Sequence, residues 1–234
     1  MHIFKAIGPV KVLSFDLDDT LYDNAPVLLS AEQAMLQSLQ QQLTPELHRP
    51  LEYWSQQRWQ LGQQTPDIRH DIGRWRMLGI EAGLVQLGLA ACEAGEIAET
   101  AYQAFWQART KITIAPEVRR LLVQLASRYQ LIAITNGNAC IQRMGLDDLF
   151  QFSLQAGPDG KMKPFPDLFL AAAKRLQLPP QQILHIGDSH RADVMGALKA
   201  GCQAAWLDHH QSSVKVLPHL RLTQLQQLST LSLN

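Results

Sequence analysis

Apolar positions follow two different rules along this chain. In its first part and its last half they come in short unbroken runs, among them Val12-Leu13-Ser14-Phe15, Leu131-Ile132-Ala133-Ile134 and Ile183-Leu184-His185-Ile186. Runs of this kind predict strands buried on both faces of a parallel sheet. Between the later runs the spacing is helical: Val118, Leu121, Leu122 and Leu125 share one face, and residues 166–176 and 192–200 predict two further helices. Strands near residues 152–154 and over 202–207 complete the alternation. It predicts an α/β fold, a Rossmann-like doubly wound parallel sheet.

From Ala25 to about Arg109 the texture becomes Gln-, Leu- and Ala-rich. Ser30 with Gln33 reads as a capping box at a helix start. Helical spacing continues over residues 51–61, 68–86 and 94–108, with breaks at Pro45, Pro50, Pro66 and Gly88. The expectation is an inserted α-helical cap, residues 24–110, interrupting a core built from 1–23 and 111–234. Within the insert, Trp54, Trp59, Trp75 and Trp106 read as helix-packing residues rather than a substrate platform. The run from Arg69 to Arg76 reads as a solvated helix face, with Arg74 near His70. After the last strand, a polar loop holding His209 and His210 leads into a tail that reads as peripheral.

Composition narrows the setting. With 234 residues, 46% of them hydrophobic, the chain can bury a substantial core. Lys plus Arg and Asp plus Glu both number 21, so nothing predicts long-range attraction to nucleic acid or to anionic lipid. Residues 1–8 lack a signal-peptide pattern and no stretch approaches membrane-spanning length, which predicts a cytoplasmic protein; a monomer or small homo-oligomer is expected. Cys92, Cys140 and Cys202 are scattered, without metal-ligand or CxxC spacing, and read as reduced, mostly buried thiols.

The chemistry gathers at strand ends. Asp16, Asp18 and Asp19 follow the first buried strand, and Asp188 and Asp193 follow the His185 strand after Gly187, a residue that permits a tight exit. In a doubly wound sheet, ligands bind where the winding reverses and neighbouring carboxyl ends meet, so Asp16 and Asp188 are expected to face one another. Oxygen ligands without His or Cys favour Mg²⁺. Thr135-Asn136-Gly137 ends a third strand and offers backbone N–H groups at a helix start for phosphate oxygens. Lys163, held out of helical geometry by Pro164, supplies a fixed cation, with Lys161 as the solvated rival. Asp19 and Asp23 read as turn or capping residues and His185 as a satisfied core residue; His190 and Arg191 lie near the mouth without a role.

Read in order, the DxDxT start at Asp16, Thr135, Lys163-Pro164 and the GDxxxxD of Gly187 to Asp193 resemble the haloacid dehalogenase superfamily, and the insert resembles its small helical cap. The resemblance implies that Asp16 is a nucleophile attacking phosphorus, and that Asp18 protonates the leaving oxygen and then activates water. It makes Asp16, the backbone carbonyl of Asp18, and Asp188 the Mg²⁺ ligands, with Asp193 just outside them and Thr135, Asn136 and Lys163 on the phosphoryl group. The opening motif, Arg74-Trp75-Arg76 and Thr135 to Asn138 resemble bacterial phosphatases of riboflavin biosynthesis. This implies a small phosphate ester as partner, 5-amino-6-(5-phospho-D-ribitylamino)uracil or FMN. Halide removal is disfavoured because Asp18 brings acid–base chemistry a dehalogenase does not need. Phosphonate cleavage is disfavoured because residues 12–110 hold no lysine. A sugar phosphomutase and a non-catalytic binding module on the same scaffold are the alternatives.

Overall fold

The structure, a computed structural model, describes residues 1–209 and 216–230; the expected loop at His210 lies outside them. The chain divides into two compact units, Met1–Asp23 with Ile112–Asn234, and Asn24–Lys111.

The first unit is built on a seven-stranded sheet: β1 (His2–Ile3), β2 (Val12–Phe15), β3 (Gln130–Thr135), β4 (Phe150–Gln155), β5 (Ile183–Gly187), β6 (Gln203–Leu207) and β7 (Leu220–Leu222), in the order β1-β7-β6-β5-β2-β3-β4. All pairs are parallel except β1 with β7. β2 sits centrally because every one of its residues is buried and none needs water. From β2 the chain winds outward through β3 and β4, then crosses to β5 and winds outward through β6 and β7. That reversal leaves the carboxyl ends of β2 and β5 side by side, with Phe15 opposite Ile186 and the Asp16 N–H donating to the Ile186 carbonyl at 2.9 Å. The helices α5 (Pro116–Ala126), α6 (Asp167–Leu176) and α7 (Met195–Lys199) lie between strands. α6 buries Leu168, Phe169, Ala172 and Ala173 in the core that holds Val12, Ile132 and Ile183. The tail is not peripheral through Leu228: Leu220 and Leu222 form an inner-sheet strand and, like Leu225 and Leu228, are buried. A three-residue strand is too short for its alternation to stand out in sequence.

The second unit consists of α1 (Asn24–Gln42), α2 (Leu51–Gln64), α3 (Ile72–Gln86) and α4 (Ala91–Arg109) around its own core of Met35, Leu39, Trp54, Ile80, Leu84 and Phe105. Several expectations need correction here. α1 starts at Asn24 rather than Ser30, because Pro26 is tolerated in a first turn, where its missing N–H would go unpaired anyway. Residues 66–70 form a separate 3₁₀ turn, and α3 begins after Asp71, whose side chain caps the Arg74 N–H at 2.9 Å. His70 and Arg74 therefore lie on different elements. Arg76 is buried rather than solvated, its guanidinium 3.9 Å from the Phe105 ring centre and 3.5 Å from Glu32. Trp54 packs in the core, as expected, but Trp59 is exposed. The α2–α3 contact is close because Gly79 and Gly83 lack side chains: a Cβ on Gly79 would lie 2.7 Å from the Arg58 backbone, and one on Gly83 2.9 Å from Trp54.

Only Cys202 is buried among the three thiols; Cys140 is half-buried and Cys92 exposed. A helix-surface Cys reads in sequence like a core Cys, since the residue is small and apolar in either place.

Candidate active site

Four strand ends in the sheet unit deliver the sequence-predicted residues to one place. Asp16 and Asp18 follow β2, Thr135 and Asn136 close β3, Lys163 lies on the loop after β4, and Asp188 and Asp193 follow β5. Together with Gly137 and Ser189 they line a cavity of about 200 Å³.

Lys163 is the hub. Its side chain is buried, and Nζ donates to Asp16 Oδ1, Asp193 Oδ1 and the Ile134 carbonyl, each at 2.7 Å. Three acceptors use up the three ammonium protons. Burial alone would lower the Lys163 pKa, but Asp16 and Asp193 outweigh it and the pKa is raised, so the side chain stays charged. The loop carrying Lys163 is clamped by Asn136, whose Oδ1 accepts from the Lys163 N–H at 2.7 Å and whose Nδ2 donates to the Lys163 carbonyl at 2.9 Å. The Lys163–Pro164 peptide is cis. Lys161, the rival cation, is exposed and lies 5.5 Å from the Phe165 ring centre.

Thr135 is buried, and its Oγ1 accepts from the Gly137 N–H at 2.9 Å. No helix follows β3; residues 136–149 run through bends and turns. The backbone N–H groups here therefore belong to a turn, and the Asn136 side chain is spent on the Lys163 loop. The Asn-Gly signal is the same for a turn and for a helix start, which is why sequence could not separate them.

Asp193 is held on both oxygens. Oδ1 takes Lys163 and, at 3.1 Å, His185 Nε2, while Oδ2 accepts from the Ser189 N–H at 2.8 Å. Burial would raise its pKa, but Lys163 and His185 outweigh that and hold it well below the usual carboxylate range. A wide helical turn, His190–Val194, aims the side chain back at the strand end, with Ser189 Oγ accepting from the Ala192 N–H. Gly187 is needed there for space rather than for the tight exit expected of it: a Cβ would collide with the Asp193 carboxyl.

Asp188 is half-buried. Burial first, then Asp193 and Asp19, push its pKa up to about 6. Asp16 is also pushed up, chiefly by burial, against the pull of Lys163 and with the push of Asp193 and Asp18. Asp18 accepts a short hydrogen bond from the Tyr22 hydroxyl. Asp16, Asp188 and Asp193 each offer a carboxylate oxygen within 4.8 Å of the others. One ammonium cannot balance that many acids, and an all-oxygen donor set with surplus negative charge fits a hard divalent cation such as Mg²⁺. Asp16 Oδ2 and Asp188 are freer to serve it than Asp193, whose two oxygens already hold three donors.

Sequence reasoning missed Ser14 and Ser189, pointed to the Tyr22–Ala25 segment for specificity without the link from Tyr22 to Asp18, and read His185 as a core residue without its link to Asp193. No spacing rule marks a histidine inside an apolar strand. Asp19, exposed at a left-handed φ of 56°, is a turn residue, as expected. His190 Nε2 lies 2.7 Å from the Val216 carbonyl, and Arg191 is exposed.

This doubly wound sheet, with acids at the ends of β2 and β5 and a buried lysine between them, defines the class of protein. The sequence pattern of the haloacid dehalogenase-like hydrolases matches residues 10–201, and the chain belongs to that family. Within it the chain is a phosphatase. It is 38% identical, over 99% of its length and 100% of the relative's, to the 5-amino-6-(5-phospho-D-ribitylamino)uracil phosphatase YigB of Escherichia coli. It is 30% identical to the phosphoserine phosphatase of Thermus thermophilus over 67% of this chain and 64% of that one. Among solved structures, one described as a 2-haloacid dehalogenase from Pseudomonas syringae superposes with a TM-score of 0.87 at 35% identity, over 94% of this chain and 96% of that one. No helix among the described residues is long and apolar enough to cross a membrane.

Proposed function

We propose that this phosphatase hydrolyses 5-amino-6-(5-phospho-D-ribitylamino)uracil, with FMN as a second substrate, by way of a phospho-aspartate on Asp16. The observation that carries the mechanism is Lys163 Nζ, 2.7 Å from both Asp16 and Asp193 at the floor of a cavity lined by Asp18, Thr135 and Asp188. The substrate comes from the full-length likeness to the Escherichia coli enzyme.

In this reading Asp16 Oδ2 attacks phosphorus, the P–O ester bond breaks, and Asp18 gives its proton to the departing alkoxide. Asp18 then takes a proton from water, whose oxygen attacks phosphorus and frees Asp16. Tyr22 fixes the Asp18 carboxyl for both transfers. Lys163 offsets the charge that gathers on the phosphoryl oxygens, and Thr135 with the turn after it supplies neutral donors. Mg²⁺, held by Asp16, the Asp18 carbonyl and Asp188, would neutralise phosphate charge when bound. The inserted helical unit, residues 24–110, is assigned as the specificity cap, and the enzyme is placed in the cytoplasm.

The test is phosphate release from the ribitylaminouracil phosphate and from FMN with Mg²⁺, repeated after chelation and with Asp16→Asn. Release that vanishes in both controls supports the mechanism; release that survives Asp16→Asn refutes it. The Pseudomonas syringae likeness favours a second reading, dehalogenation, which predicts halide release from a 2-haloacid without added metal. An isomerised sugar phosphate in place of free phosphate would indicate a mutase.

A further inference from the structure

The imidazole of His185 is fully buried in β5, yet both its nitrogens are engaged along a line leading to the nucleophile. Nδ1 lies 2.9 Å from Ser14 Oγ, on the residue directly opposite in β2, and Nε2 lies 3.1 Å from Asp193 Oδ1. The same Asp193 oxygen holds Lys163 Nζ, which holds Asp16 Oδ1. Phe169 packs edge-on to the ring, centroids 4.9 Å apart, and confines it.

The protons on this line can be assigned. An ionised Asp193 only accepts, so His185 Nε2 must donate. A second positive charge beside the Lys163 ammonium would be repelled and desolvated, so the ring is neutral and Nδ1 accepts. The Ser14 hydroxyl therefore donates. Burial, with Lys163 acting in the same sense, lowers the imidazole pKa and agrees with this.

We propose that Ser14 and His185 form a neutral hydrogen-bond relay under the active site that fixes Asp193 and thereby centres the Lys163 ammonium on Asp16, making His185 a positioning residue for the attack. The role in attack rests on the phospho-aspartate reading above; the relay itself does not. Lys163 divides its contacts evenly, 2.7 Å to each acid. Without the imidazole N–H, Asp193 Oδ1 keeps Lys163 alone and draws it away from Asp16, so the loss falls on the chemical step rather than on substrate binding.

Two measurements test this. Nitrogen-15 NMR of the imidazoles should show His185 as the Nε2–H tautomer with unprotonated Nδ1 between about pH 6 and 8, a range across which free histidine loses its charge near about pH 6.5; an imidazolium or the other tautomer overturns the relay. His185→Leu should lower kcat about 10- to 100-fold, by analogy with the loss seen when groups that orient metal ligands are removed, with KM within about twofold. His185→Gln, whose amide can donate to Asp193 and accept from Ser14, should restore most of kcat. Equal loss in Leu and Gln variants, unchanged kcat in the Leu variant, or a loss that follows Tm overturns the positioning role. If the Leu variant does not fold, Ser14→Ala decides: a several-fold lower kcat at unchanged Tm supports the role, and an unchanged kcat refutes it. A wild-type protein that releases no phosphate refutes the phosphatase reading, while the NMR result still decides the relay.

Discussion

At the scale of single residues, small volumes and single protons govern this site. Gly187→Ala is expected to be among the more damaging conservative changes, because the added methyl occupies the space of the Asp193 carboxyl. Asp193 must move off Lys163, which costs both the buried ion pair and the catalytic alignment. A kcat lowered by at least about tenfold, with stability reduced by about 2 kcal/mol in urea titration, is the expected outcome. Cys202 offers a pH test. Burial raises its pKa to about 12, so the folded state keeps a proton that the unfolded chain loses near its ordinary value. The stability tied to it is complete below about pH 9 and is lost as pH rises towards 12. Thiol reagents at pH 8 should label exposed Cys92 at once and Cys202 only after denaturation.

At the scale of elements, the helical unit carries an unbalanced buried charge. Arg76 on α3 and Arg58 on α2 share Glu32 on α1, and burial together with Arg58 lowers the Arg76 pKa to about 9. Burial also lowers that of Arg58. Glu32→Gln removes the carboxylate charge that offsets both guanidinium groups, whereas Arg76→Met relieves Arg58 and keeps packing against Phe105. Urea denaturation should show Glu32→Gln destabilised by about 3 kcal/mol and Arg76→Met by less, with the double variant no worse than Glu32→Gln alone. This cluster was illegible in sequence. Arg69 to Arg76 look like a solvated face because charge normally marks a wet face, and only the meeting of α1, α2, α3 and α4 turns Arg76 inward.

At the scale of the whole molecule, each of the two units has buried apolar clusters of its own, one around Ile132 and Phe169 in the sheet unit and one around Leu84 and Phe105 in the helical unit. Leu84→Ala in the helical core and Ile132→Ala in the sheet core should each cost about 2–5 kcal/mol. The first should shift the unfolding reported by Trp54, which shares its cluster, and the second that reported by Trp206. A single transition moved equally by both changes would mean that the units unfold as one.

The chain sequence by itself determined the segments that become β2 to β6, that β2, β3 and β5 are buried on both faces, and which acids and threonine stand at their ends, with Lys163 on the loop after β4. Those are local properties: a run of Val, Leu and Ile excludes water, and a carboxylate next to it must lie where the strand emerges. What only the tertiary structure decided is how those ends share partners. That Asp193 serves Lys163 rather than water, that Asn136 clamps a loop and that Arg76 is buried depend on residues far apart in sequence brought to within 4 Å, and that His185 faces an acid depends on the turn that folds Asp193 back onto β5. Hydrogen bonds and ion pairs act over such distances and carry no sequence period, so folding alone sets them.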